Sequence, residues 1–459
     1  MQFRVYLAVA AFLFMAGCKS SDNPASPATQ RASQQFIFVN PLTGSDNGPG
    51  SADAPVKSIH KAFSMFQPGT RIELEAGTYD AANGQIFPDS LPSGVVVESL
   101  SALLAVLLGT SSDVAFYGSG TDTLKYLQFQ GFNTCVRAGA GVHVFVGTGF
   151  NAINKAFDLY GAAEGQWKGG TGINAVIAVA GGSSRINITN CIVTGTSTNS
   201  IVQLNNAAFA SIEGALVKDA PTTVLDLNDA STAIVNNCTF TNTGLHNQGS
   251  TAAASLRGTA TLALVGTSIA QTFGPAISME SQNAVLSVER SFFDQNGSGS
   301  NGAGLYLSGT ATIDSSTISN SSKNGIVLSG GSFEVYHSSI SGASSTGIYL
   351  SGGSSLLLRN TSITYTGDGV LLAASTSIAD LGTSTDPGGN TFQYNTRFGL
   401  ESDVTSQASA IPAAGNTWTP SVQGADANGH YASQTVNGPT SSTTPLNYYI
   451  TSAGRGIRF

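Results

Sequence analysis

Charge is scarce in this sequence. Only 10% of its 459 residues are Asp, Glu, Lys or Arg, against about 25% in ordinary soluble domains. Helix-rich soluble proteins need charged outer faces, so the shortage favours a β-rich surface coated with Ser, Thr, Asn and Gly. Basic residues are the scarcer sign: 19 Lys and Arg against 27 Asp and Glu give a net charge of −8. With no basic cluster either, a nucleic-acid partner is excluded. The 5 His are scattered and the 4 Cys form no Cys-x-x-Cys pair, so no metal site or cofactor is expected from them. The apolar run from Val5 to Met15 is too short to span a bilayer.

What the chain has instead is 54 glycines and a repeat. One apolar position recurs at Val193, Val217, Phe240, Ile269, Phe293, Ile318, Ile340 and Ile363. A second lies five residues earlier without a slip: Ile188, Ile212, Val235, Leu264, Val288, Ile313, Val335 and Leu358. A third follows at Leu204, Leu227, Leu256, Met279, Leu307, Leu328, Leu350 and Leu372. A step of two inside each run is strand periodicity. Three short strands per unit of about 22–25 residues, separated by Gly, Ser and Asn, describe a coil that buries its apolar face only against its neighbours. The leucine-rich-repeat signature is absent. The fold class is therefore all-β, a parallel β-helix with three strands per coil.

The register assigns inside, bend and outside. Cys191, Ala215, Cys238, Thr267, Ser291, Ser316, Ser338 and Thr361 form an inward small-residue ladder. One residue earlier, Asn190, Gly214, Asn237, Gly266, Arg290, Ser315, His337 and Asn360 mark a tight bend, whose Asn and Gly suit left-handed backbone. Cys191 and Cys238 stand two coils apart, about 9.6 Å by rung spacing, which exceeds the reach of a disulfide, about 7 Å. Both are expected free and buried.

Upstream, Phe36–Val39 reads as a strand, Val56–Phe63 as a short amphipathic helix and Arg71–Leu74 as a strand, a strand–helix–strand cap on the open end of the stack. Tyr126–Phe129, Val142–Val146 and Val176–Val179 read as strands of less regular coils, and Leu100–Leu108 as a strand pair or short helix. The divisions are 1–17 signal peptide, 18–35 flexible tether, 36–110 cap and first coils, 111–431 β-helix and 432–459 tail.

Val39-Asn40-Pro41, Gly44-Ser45-Asp46, Ala54-Pro55-Val56-Lys57-Ser58-Ile59, Pro68-Gly69 and Ala76-Gly77-Thr78-Tyr79 resemble the opening of the DUF1565 family, within the pectate-lyase-like superfamily. Pro387-Gly388-Gly389-Asn390-Thr391-Phe392 and Gly415-Asn416-Thr417-Trp418-Thr419-Pro420 are similar to its closing coils. The resemblance implies a right-handed β-helix over about residues 36–431 and no defined reaction. Met15-Ala16-Gly17-Cys18 resembles a bacterial lipobox, which implies lipidation at Cys18 and a membrane anchor. Lys19, in place of Asp, implies by the same resemblance an outer-membrane lipoprotein of the cell envelope.

Two outward ladders carry the candidate chemistry. Glu289 and Asp314 fall on adjacent rungs, with Tyr336 and Arg359 next. Carboxylates about 5 Å apart suit a retaining glycosidase or a Ca²⁺ site, and carboxylates with Arg359 suit β-elimination on uronic acids. The competing reading is a solvated polar ladder. Tyr306 and Tyr349, two rungs apart, offer rings for stacking on sugars, or else shield the stack. Long connections carrying His246, Asp294, Gln295, Asn296 and Asn301 offer walls for a groove. The expected function is a surface-anchored, adhesin-like module that binds a polysaccharide. The alternatives are a polysaccharide lyase or hydrolase, and a purely structural envelope protein.

Overall fold

The computed structural model describes residues 35–195, 199–244, 251–299, 302–374, 376–402, 411–418, 447–450 and 457–458. Cys18, His246, Asn301, the 1–17 and most of the 18–35 segment, and most of the 432–459 tail lie outside the described residues.

The chain winds into an all-parallel β-solenoid of about 14 turns. Sheet I stacks from Phe36–Val39 and Arg71–Leu74 up to Ile378–Asp380. Sheet II stacks from Gly77–Tyr79 to Thr417–Trp418. Sheet III stacks from Asp89–Ser90 to Leu400–Ser402. The three apolar ladders read from the sequence each pair in register, rung after rung, and all their members are buried. Alternation along each short strand sends one residue in three inward in sheet II, with its two neighbours half out, which is why the sequence period of two was visible there.

The small-residue ladder is a hydrogen-bonded column. Ser316 N donates to Ser338 Oγ at 3.1 Å, Ser291 N to Ser316 Oγ at 3.1 Å and Thr267 N to Ser291 Oγ at 3.2 Å. Each hydroxyl in turn donates to the carbonyl two residues back, as Ser316 Oγ does to Asp314 O at 2.7 Å. The hydroxyls therefore bond to backbone, not to one another, and no buried donor in the column is wasted. Cys191 and Cys238 occupy the same column with Ala215 between them. They are free and buried, and burial foremost pushes their thiols up to about 12 and about 11.

The bend between sheets I and II, the first bend, has φ between 45° and 61° at all eight expected positions, Arg290, Ser315 and His337 included. Asn and Gly also interlock there: the amide oxygens of Asn190, Asn237 and Asn360 lie 2.3–2.6 Å from where a Cβ on Gly214, Gly266 or Gly389 would stand. Neighbouring turns thus use glycine both for left-handed backbone and for room.

The early turns follow the same plan with a different filling. Phe116, Phe129, Phe145, Phe150 and Trp167 form a continuous buried chain of rings, successive centroids 5.1–6.2 Å apart. Tyr126 is itself a bend residue with φ of 56°, so the expected strand over 126–129 is broken into 121–125 and 128–130. The helix spans Ile59–Met65, not Val56–Phe63. Ser58 caps it by accepting from Lys61 N, while Val56 bridges to Val39. The helix packs Phe63 5.9 Å from Phe116. The 100–108 stretch is a turn followed by a strand, Ala105–Leu108. His143 and Asp122 form a fully buried pair at 2.7 Å, in space left open by Gly118.

Candidate functional site

Function on a solenoid must come from outside faces and bends, because the interior is packed. Glu289 and Asp314 pair in register on adjacent rungs at the start of the first bend, both well exposed. Each carboxylate already has a partner. Glu289 lies 2.5 Å from Arg290, and Asp314 accepts from His337 Nδ1 at 2.9 Å. Arg359 does not join them. Two rungs from Asp314, its side chain is nearly buried and is clamped by Asp380 at 3.0 Å and Asp386 at 2.8 Å. It also donates to the Leu358 and Asp380 carbonyls. The physical reason is local: the connection after Asp380 brings two carboxylates over the outer face of sheet I, and a guanidinium with five donors satisfies them and two carbonyls together. The expected outward Glu289–Asp314–Arg359 constellation is therefore an adjacent carboxylate pair without the guanidinium.

Tyr306 and Tyr349 sit on the outer face of sheet III, two rungs apart with Val327 between them, as expected. All three are half-buried or buried, so the rings lie low against the sheet.

The bend between sheets II and III, the second bend, carries a ladder that the sequence reading did not single out. It runs Asp219, Asn242, Gln271, Gln295, Asn320, Gly342, Tyr365 and Tyr394, with φ of 53–69° throughout. From Asp219 to Tyr365 each backbone N–H bonds to the turn above, as in Asn242 N to Ala270 O and Gln295 N to Ser319 O, both 3.1 Å. The readable signal was its fixed position, two residues after each sheet II anchor (Val217 gives Asp219, Ile363 gives Tyr365).

Asn242, Gln271, Gln295 and Asn320 line a groove of about 370 Å³, closed behind by Asn296 and walled by Ser298 and Ser322. Three of these, Gln295, Asn296 and Ser298, belong to the long connection expected to form a groove wall. Asn296 is buried and rigid: its amide accepts from Thr272 N and Oγ1 at 3.1 and 2.9 Å and donates to Ile269 O at 2.9 Å. Gln271 Nε2 reaches Gln295 Oε1 at 3.4 Å. Beyond Gly342, Tyr365 and Tyr394 are 63% and 49% exposed and stack at 5.0 Å and 18°.

The tyrosine turns are braced from below. The Arg397 guanidinium donates to the two oxygens of the buried Asp368 carboxylate from Nε and Nη2, and Nη2 also reaches Glu401 at 2.6 Å. Burial pushes the Asp368 carboxyl above its usual range, more than Arg397 pulls it down. Asn395 repeats the Asn296 arrangement, accepting from Thr366 N at 3.2 Å and Thr366 Oγ1 at 2.8 Å.

Residues 42–111 match the family described as Protein of unknown function (DUF1565), and residues 275–437 match the right-handed β-helix region. The chain is thus a right-handed parallel β-helix that opens with a DUF1565 region. Its closing coils, expected to resemble the same family, fall within the β-helix match. No curated protein matches the chain. Similar solved structures include bacteriophage CBA120 tailspike protein 3, at 14% identity over 84% of this chain, with a TM-score of 0.44. The chain spans 62% of that tailspike's length. A mannuronic acid specific family 6 polysaccharide lyase from human gut microbiota is 14% identical, covers 82% of this chain and 88% of its own, and has a TM-score of 0.36. The GH136 lacto-N-biosidase from Eubacterium ramulus is 8% identical, with 85% and 68% covered and a TM-score of 0.35. The likeness is one of fold.

Proposed function

We propose that this protein is a glycan-binding β-helix and that the second bend is its binding edge. One observation carries the reading: four amide side chains and two exposed, stacked tyrosines follow one another on a single edge, on rungs about 4.8 Å apart. Amides exchange hydrogen bonds with sugar hydroxyls, and flat rings accept the apolar face of a pyranose. A linear chain of sugars lying along the solenoid axis meets both. Such an exposed aromatic patch on a charge-poor surface is what a binding face requires.

The rival reading is a polysaccharide lyase or glycoside hydrolase acting at Glu289 and Asp314. The withdrawal of Arg359 into its clamp weighs against β-elimination there. A Ca²⁺ ion shared by that carboxylate pair is disfavoured by Arg290 and His337, which already stand beside it.

Incubation of the protein with soluble polysaccharides separates the readings. Binding without new reducing ends or unsaturated uronate ends is expected. Products that vanish in Asp314→Asn would establish the enzyme instead, and neither binding nor products would leave a structural envelope protein. We also propose that Cys18 carries the lipid anchor of an outer-membrane lipoprotein, supported by the Met15–Cys18 pattern. Cys18→Ser is expected to move the protein from the detergent phase to the aqueous phase, and unchanged partitioning overturns the anchor.

A further inference from the structure

We infer that the glycan held at the second bend is a neutral one, free of carboxylate and sulfate groups. This rests on the glycan-binding reading above and narrows it to a ligand class.

The groove lining is made of amides and hydroxyls, with no charged side chain among its described residues. The carboxylates closest to it in the chain are turned to structural use. Asp219 Oδ1 accepts from Asn242 Nδ2 at 2.6 Å, and Asp294 Oδ1 accepts from Asn320 Nδ2 at 2.7 Å and Ser319 Oγ at 2.6 Å. A carboxylate only accepts, so these contacts fix the two amides with NH₂ towards Asp and C=O away from it. The Asn320 carbonyl oxygen then lies over Gly342, 2.7 Å from where a Cβ would stand, so the path from groove to tyrosines stays open.

The edge therefore presents acceptors, such as the Asn320 carbonyl, interleaved with the Gln271–Gln295 amide pair. Sugar hydroxyls both donate and accept, and fit this alternation. A carboxylate or sulfate, which only accepts, meets those carbonyls as a repulsion and finds no cation among the described lining residues to neutralise it. Lys218 and Lys323 are near in sequence but are not part of the lining. Arg397, on the turn of Tyr394, is engaged by Asp368 and Glu401. The net charge of −8 adds a long-range field that also disfavours polyanions.

The test is calorimetric titration of the full chain with cellohexaose, mannohexaose, hexagalacturonate and hexamannuronate. A neutral hexamer is expected to bind at least about tenfold more tightly than either acidic one, with an affinity insensitive to salt because no ion pair forms. Gln295→Ala and Asn320→Ala should each weaken it about tenfold. Both put Ala at a left-handed position, and Asn320→Ala also loses the bond to Asp294, so a melting temperature lower by about a few degrees is expected, with cooperative unfolding retained. Gln295→Arg should gain affinity for the acidic hexamers. An acidic hexamer that binds more tightly than the neutral ones, and is lost in Gln295→Ala, overturns the neutral class but keeps the binding edge. No binding of any of the four, or binding indifferent to Gln295, Asn320 and Tyr365 substitutions, overturns the edge itself and this inference with it.

Discussion

The two bends of this solenoid share a backbone and differ in what they display. Both hold left-handed residues on turn after turn, and both tie each turn to the next through a main-chain N–H. The first bend concentrates charge: Glu289 with Arg290, Asp314 with His337, Arg359 with Asp380 and Asp386. The second displays amides and then two stacked rings. The difference teaches that on a charge-poor stack, opposite charges on the same or the next turn find each other, and the ladder closes on itself. Amides satisfy a neighbour with one end and keep the other, and rings have no polar need to close. The neutral edge, not the charged one, is left with capacity to bind.

Substitutions sharpen that contrast in decreasing order of effect. Ile340→Asp removes the platform that both bends share. It places a carboxylate between Ile318 and Ile363, where nothing pairs with it, and should cost more than about 4 kcal/mol. A wild-type thermal melt would refute the register. Arg359→Ala takes a buried guanidinium from the first bend and leaves two carbonyls and two carboxylates without it. A loss of about 2 kcal/mol is expected in denaturant titration, with glycan affinity intact. A simultaneous loss of affinity would join the two bends in one function.

Gly342→Ala acts on the second bend. It forces a side chain into left-handed backbone against Asn320, at a cost of about 1–2 kcal/mol, and should lower affinity by blocking the path to Tyr365. Unchanged affinity would move the ligand off that path. Smallest of all, Asp314→Asn removes an exposed pair worth less than about 1 kcal/mol. Neither stability nor binding should change measurably, and lost binding would transfer the site to the first bend.

Much of this was legible in the sequence between Ile188 and Leu372. Aliphatic residues there are similar in size, so each turn repeats the last and the register shows as offsets of two and five. The left-handed bend was legible even at Arg290 and His337, because the neighbouring turns carried Asn and Gly. The early turns were less legible because rings of unequal reach fill their core. Phe145 packs at 5.6 Å on Phe129 of the preceding turn and at 5.1 Å on Phe150 of its own, so one side chain serves two turns and the repeat blurs. Tyr126 hid a bend for a related reason: an aromatic at positive φ has no propensity signature. Of the candidate site, Glu289 and Asp314 were placed on adjacent rungs and Gln295 and Asn296 in a groove wall. The fate of Arg359 was not legible, because Asp380 and Asp386 reach it from more than twenty residues away. The second-bend ladder stood at a fixed offset, but Asp, Asn, Gln, Gly and Tyr alternate there, so no one side-chain chemistry marks the left-handed position.

Which bend meets the ligand is read directly by hydrogen exchange of the full chain with and without a bound neutral hexasaccharide. Protection gained at Asn242, Gln271, Gln295, Asn320, Tyr365 and Tyr394, with none at Arg290, Ser315, His337 and Asn360, is the predicted result. Protection confined to the first bend, or to the face of Tyr306 and Tyr349, would contradict it.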